Sequence, residues 1–270
     1  MKDAEEISAR SVMLASNDSD VYLRFEALSE SVNVYQAIGR MDHALESSTQ
    51  ALTLAESTKD TWLIDRGRVF HSHFLTNIGR YDEARILCDC VFETFPKDFY
   101  LLSRRAELEL LAGDTDAAQI FLQKYFHAIE TATPPPGSPR HNIPLWRNAT
   151  LLPMWTFFTN RIDLLDEADE AARKLLSDST TSRIERRIAL TGLAWIAFIR
   201  DDAELGERSY NQLYDITNEF ETRLIGSELN LGVAALAATL YEEADSHLSK
   251  LWNYRLHKSD IMGRIYTGYF

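Results

Sequence analysis

"GRMDHA" fills residues 39–44 and "GRYDEA" fills residues 79–84. Forty residues apart, both read Gly, Arg, a large apolar residue, Asp, a polar residue, Ala. Each step in that order has a physical reason. Gly accepts the left-handed backbone that closes a helix, Asp suits the start of the next, and a small residue one turn in lets two helices approach. The logic extends along the chain. Gly113–Ala118 (GDTDAA) fits it. Asp163–Ala168 (DLLDEA) keeps Asp-Glu-Ala but lacks the Gly; Asp201–Gly206 (DDAELG) puts Gly206 where the Ala stands; Thr239–Ala244 (TLYEEA) keeps the acidic pair and the Ala. The small residues at 44, 84, 118, 168, 206 and 244 are therefore 40, 34, 50, 38 and 38 positions apart. A period of this size marks a stacked supersecondary unit, here helix–turn–helix.

The flanks agree. Before Gly39, Leu28, Val32 and Tyr35 recur at helical spacing; after it, Ala44, Ala51, Leu52 and Ala55 fall on or near one face. Val69, Phe70 and Phe74 precede Gly79, and Ala84, Leu87, Cys88 and Val91 follow it. Sustained strand alternation is found nowhere. The expected fold is all-α: one domain over residues 1–270, an α-solenoid of about six antiparallel helix–turn–helix units.

These units resemble the tetratricopeptide repeat. Ala44 and Ala51 stand seven apart, like that family's paired alanines. Tyr81, Ala84 and Pro96 match in the second unit, and Leu231, Gly232, Tyr241, Ala244 and Leu248 in the last. The resemblance covers roughly residues 20–257. The second half is also similar in layout to the C-terminal helical region of LuxR-type ATPase regulators and of adenylate/guanylate cyclases with tetratricopeptide tails, through Gly226, Ser227, Leu231, Gly232 and Leu236–Leu240. The usual Gly-Arg turn before Tyr241 is missing. Neither an ATPase, a cyclase nor a DNA-binding part falls within these residues, so this resemblance implies a sensing or scaffolding region.

In the tetratricopeptide family a groove lined by the first helices holds the partner. Its offsets, carried onto this chain, imply partner contacts at Asn33, His73, Asn77, Arg104, Glu107, Phe157, Arg161, Trp195 and Phe198. The family's carboxylate clamp is not matched, because Ser29, Phe70 and Tyr100 take three of its five positions. The aromatic positions Phe157, Trp195 and Phe198 suit an apolar peptide or helix. The alternative is that superhelical curvature buries them, as large aromatics usually are.

The chain carries 28 Lys and Arg against 41 Asp and Glu, a formal charge of −13. A nucleic-acid face collects basic residues, and no such cluster is present. The acidity serves solubility and, secondarily, favours cationic partners. Cys88 and Cys90 are two apart and face different ways on a helix, which excludes a disulfide framework. The opening MKDAEEISAR is charged where a signal peptide is apolar, and TGLAWIAFI (191–199) is too short to span a bilayer. The expected setting is cytoplasmic, with a protein or peptide partner and no membrane.

Two places break the repeat. TATPPPGSPRHNIP (131–144) favours an extended connection and accounts for the 50-residue spacing, as an edge loop or as a docking segment between halves. SDIMGRIYTGYF (259–270) reads as an unpaired seventh first helix, through Ile261, Ile265 and Tyr269, either a lone cap or part of a longer array. Phosphate-loop, dinucleotide and H-E-x-x-H patterns are absent, and no cofactor is implied. His71 and His73, like Cys88 and Cys90, lack the i, i+3 or i, i+4 spacing of helical metal ligands. The competing functional reading is an all-α metal-dependent enzyme using Asp201, Asp202 and Glu204. Their simpler use is at a helix N-terminus.

Overall fold

A computed structural model describes residues 2–37, 40–131, 142–218 and 225–256. Gly39, most of the Pro-rich stretch and the expected helix over 259–270 lie outside these residues. The described residues form thirteen α-helices, and no strand occurs among them.

The chain divides into two compact units, one of Met1–Pro96 with the residues from Tyr254 on, the other of Lys97–Asn253. The first contains α1 (Lys2–Ser16), α2 (Val21–Ala37), α3 (Met41–Glu56), α4 (Thr61–Asn77) and α5 (Tyr81–Thr94), each packed on its chain neighbour. The second contains α6 (Phe99–Ala112), α7 (Thr115–Thr131), α8 (Ile143–Thr159), α9 (Leu165–Ser177), α10 (Arg183–Arg200), α11 (Ala203–Asn218), α12 (Ile225–Ala237) and the body of α13 (Tyr241–Leu256). There the hairpins α6/α7, α8/α9 and α10/α11 pack internally, while α6 meets α8, α8 meets α10 and α10 meets α12.

The quoted hexapeptides are the hairpin turns. At five of the six, the first N–H past the turn residue returns to a carbonyl five positions back: Arg40 to Tyr35, Arg80 to Leu75, Asp114 to Glu109, Asp202 to Ala197 and Leu240 to Ala235, at 2.7–2.9 Å. A bond to the carbonyl three positions back accompanies it from Gly79 to Thr76, Gly113 to Leu110 and Thr239 to Leu236, at 3.0–3.1 Å. This Schellman pattern satisfies the last carbonyls of the first helix and needs left-handed backbone at the turn residue. Gly79 and Gly113 supply it at φ 79° and 84°. Asp201 and Thr239 adopt it at φ 54° and 59° without being Gly, at a cost of roughly 1–2 kcal/mol each. In the fourth hairpin Asn160, at φ 55°, closes α8, and residues 161–164 lengthen the connection, which is why DLLDEA carries no Gly.

The role expected of the aspartates needs correction. Asp42 and Asp82 sit inside the first turn, where they complement the helix dipole, and the N-cap residues are Arg40 and Arg80, neither of which caps through its side chain. Asp114 and Asp202 do cap, accepting from Ala117 N at 3.0 Å and Leu205 N at 3.0 Å.

All six small residues are buried. Ala44 joins Val32, Tyr35 and Phe74 in one core cluster; Ala51 and Ala55 join Phe25, Leu28 and Leu63 in another. Ala244 lies with Leu190, Ala194, Tyr210, Leu213, Leu231, Ala234 and Ala235. Gly206 is the exception that geometry explains. A Cβ there would meet the α12 backbone, Ala237 C and Ala238 N, at 2.6 Å. Gly192 likewise lets α10 approach α8, since a Cβ would fall 2.2 Å from Ala149 O.

Gly206→Ala restores the repeat's small residue yet should lower stability by about 2–3 kcal/mol, through overpacking against backbone that cannot step aside. Gly113→Ala, with open space around it but φ of 84°, should cost about 1 kcal/mol. Urea unfolding midpoints at constant m-value would rank the two.

Candidate functional site

The expected contact residues of the second unit gather on α6, α8 and α10. In α6, Arg104 donates from Nη1 to Glu107 Oε2 at 3.0 Å and from Nε to Tyr100 Oη at 3.1 Å, and its guanidinium lies 5.2 Å from the Tyr100 ring centre. Glu107 is shared. Arg147 of α8 donates to the same Oε2 at 2.8 Å, and also to Ser103 Oγ at 2.9 Å and Ser103 O at 3.1 Å. Arg147 is only 3% exposed. Burial opposes the charge of Arg104, but Glu107 and Tyr100 outweigh it and push its pKa above the ordinary arginine value. Next to this polar cluster, Tyr100 meets Trp146 of α8 edge to face at 6.0 Å.

Eleven residues, three helical turns, separate Trp146 from Phe157 and put both on one face of α8. Phe157 meets Trp195 of α10 edge to face at 5.4 Å, and Trp195 meets Phe198 at 6.4 Å. Trp195 is 6% exposed, so it packs as support, whereas Phe157 and Phe198 are half-buried. Arg161, at the exposed end of α8, pairs with Asp163 at 2.9 Å and lies 5.9 Å from the Trp155 ring centre.

In the first unit, His73 and Asn77 are half-buried on one face of α4, with Nε2 and Nδ2 3.5 Å apart. Asn33 is exposed on α2, 3.5 Å from Glu30 Oε2. His71, paired with His73 in the sequence, is buried instead, its Nδ1 2.6 Å from Ser48 Oγ of α3. Burial, then the nearby Arg80 charge, lowers its pKa.

Arg147, Ser103, Tyr100 and Trp146 are absent from the expected set. A signal for Arg147 existed: it is the one charge in the otherwise uncharged and mostly apolar IPLWRNATLLPMWTFFT of α8. A lone charge on so apolar a helix must find a partner when the helix is buried.

The acidic run on α10 and α11 is locally engaged. Asp201 holds the left-handed cap of α10, Asp202 caps α11, and Glu204 pairs with Arg208 at 3.4 Å. In α9, Asp166 and Asp169 both meet Arg200 of α10. Among the described residues no group of three His, Cys, Asp or Glu is placed to hold a metal ion. No described helix is long and apolar enough to cross a membrane.

Glu107→Gln leaves Arg104 and Arg147 sharing no carboxylate. A loss of roughly 2–3 kcal/mol is expected, below the ~3–5 kcal/mol of a fully buried pair, while Arg161→Ala, at an exposed pair, should change urea stability by less than ~1 kcal/mol. His71 sets a pH dependence. Its folded pKa lies below the unfolded value near 6.5, so unfolding takes up a proton between the two. Its contribution is therefore complete above about pH 7 and is lost as pH falls through ~6.5 and below. His71→Gln should flatten the fall in urea stability between pH 7.5 and 5.5 relative to the parent chain.

No family model matches the chain, and a search of curated proteins finds no match.

Proposed function

We propose that this chain is a tetratricopeptide-like α-solenoid that serves as a non-enzymatic scaffold for a protein or peptide, as in the sensing or interaction region of a bacterial signalling or transcriptional regulator. The observation that carries the reading is the recurrence of one hairpin turn, with the same carbonyl-return bond at five of six places and a buried small residue after each. Repeats of this kind bury their apolar faces on one another and leave one helix layer to carry specificity.

The residues offered to a partner are those of α6, α8 and α10. Tyr100, Arg104, Trp146, Phe157 and Phe198 are half-buried, and aromatic residues with Arg dominate binding energy at protein interfaces. Trp195 holds Phe157 and Phe198 in place from behind. Arg104 and Glu107 come to the partner already ordered by Arg147, which lowers the entropy lost on binding.

Small-angle scattering tests the architecture. A solenoid requires a radius of gyration clearly above the ~18 Å of a compact globule of this length; a value at that figure sinks the reading. The surface is tested by quantitative cross-linking capture from a bacterial extract, comparing the parent with Phe198→Ser and Trp146→Ser. Both should lose the same captured proteins while retaining a helical circular-dichroism signal, and undiminished capture by both would move the partner elsewhere.

A further inference from the structure

We infer that the first unit binds a small amphiphilic carboxylate, a straight-chain acid of medium length, in a cleft between α1, α2 and α3. The cleft measures about 450 Å³, within the ~300–1,000 Å³ usual for small-molecule sites. Val12, Leu28 and Leu54 give it an apolar floor, and Leu28 and Leu54 belong to the adjoining core cluster or pack against it. Around that floor stand hydroxyl and amide side chains, among them Thr49, Gln50 and Thr53.

One charged group opens onto it: Arg24. No Asp or Glu lines the cleft, and Arg24 forms no ion pair with any described residue. In a chain with 41 acidic against 28 basic residues, Arg40, Arg66, Arg68, Arg80, Arg85 and Arg104 all have a carboxylate within 3.4 Å, whereas Arg24, like Arg10, Arg186 and Arg187, has none among the described residues. A half-buried guanidinium above an apolar floor, with no acid of its own, is complementary to a carboxylate carried on a hydrocarbon tail.

The ligand's charge and size follow from the surroundings. A single guanidinium suits a monoanion, and the net charge of −13 repels phosphates and other polyanions. Thr49 Oγ1 donates to Leu45 O, so its hydroxyl is engaged within its own helix. The Thr53 hydroxyl makes no hydrogen bond among the described residues, which leaves it to donate beside Arg24. The cleft is bounded by side chains of three helices and presents no open strand edge for a peptide backbone. A volume of about 450 Å³, that of a small-molecule site, favours a free acid over a polypeptide. This inference stands apart from the partner surface on α6, α8 and α10 and survives its failure.

The test is isothermal titration of the full chain with octanoate, alongside octan-1-ol, acetate and an acidic decapeptide, with thermal unfolding in parallel. Octanoate should bind saturably at one site and raise Tm, while acetate, lacking the tail, and octan-1-ol, lacking the charge, should bind at least tenfold more weakly. Arg24→Gln should weaken octanoate at least tenfold without lowering the Tm of the ligand-free chain. Thr53→Trp, at an exposed position that fills the cleft from its rim, should abolish binding. The inference is overturned if octanoate fails to bind, if it binds the parent, Arg24→Gln and Thr53→Trp alike, or if the acidic peptide binds with the Arg24 dependence and octanoate does not.

Discussion

One bond governs the structure: the amide that follows each turn residue reaches back to a carbonyl five positions earlier. It closes the first helix of a hairpin and fixes where the second starts. Once the start is fixed, the residue one turn in is buried against neighbouring helices, and a small residue stands there in all six hairpins. Burial of Ala44, Ala84, Ala118, Ala168, Gly206 and Ala244 is thus a consequence of the turn as much as of their apolar character. The same constraint explains why Asp201 and Thr239 tolerate left-handed backbone. The hydrogen bonds they enable, together with the packing those bonds permit, offset a local cost of about 1–2 kcal/mol.

The polar interior of the second unit depends on that geometry in turn. Parallel placement of α6 beside α8 brings Ser103 and Glu107 under Arg147, and the carboxylate shared by two guanidiniums leaves the cluster with an excess of positive charge. Farther along α8, close approach at Gly192 brings α10 to it, and Phe157, Trp195 and Phe198 then meet edge to face. One contact between helices is polar and oriented, the next aromatic and adaptable. That combination orders a surface without filling it.

Much of the helical organisation was legible in the letters. Gly113 with Asp114, followed by Ala118, announces a helix end, a helix start and a packing point because each property is intrinsic to the residue. Legibility fell where a residue's part depends on its neighbours in space. Asp42 and Asp82 read as caps, yet the N-cap positions of α3 and α5 fall two residues earlier, at Arg40 and Arg80, and the two aspartates act on the helix dipole instead. Asn160 ends α8 three residues ahead of the hexapeptide, a shift the spacing alone could not place. Of the expected contact residues, Arg104 with Glu107 and Phe157 with Trp195 and Phe198 come together within the second unit, while His73 and Asn77 pair on α4. Arg147, which organises the first of these groups, was passed over because its partners lie 40 and 44 residues away in the chain.

By itself the sequence determined the all-helical character, the positions of the hairpin turns and the small residues that let helices close, since these rest on backbone preference and side-chain volume. Tertiary structure alone decided which groups are spent and which are open. Trp195 is covered while Phe198 is half-open; His71 is buried on Ser48 while His73 is not; Arg147 is paired with Glu107 while Arg24 faces a cleft without an acid. Exposure and pairing belong to residues brought together from distant parts of the chain, and no local pattern encodes them.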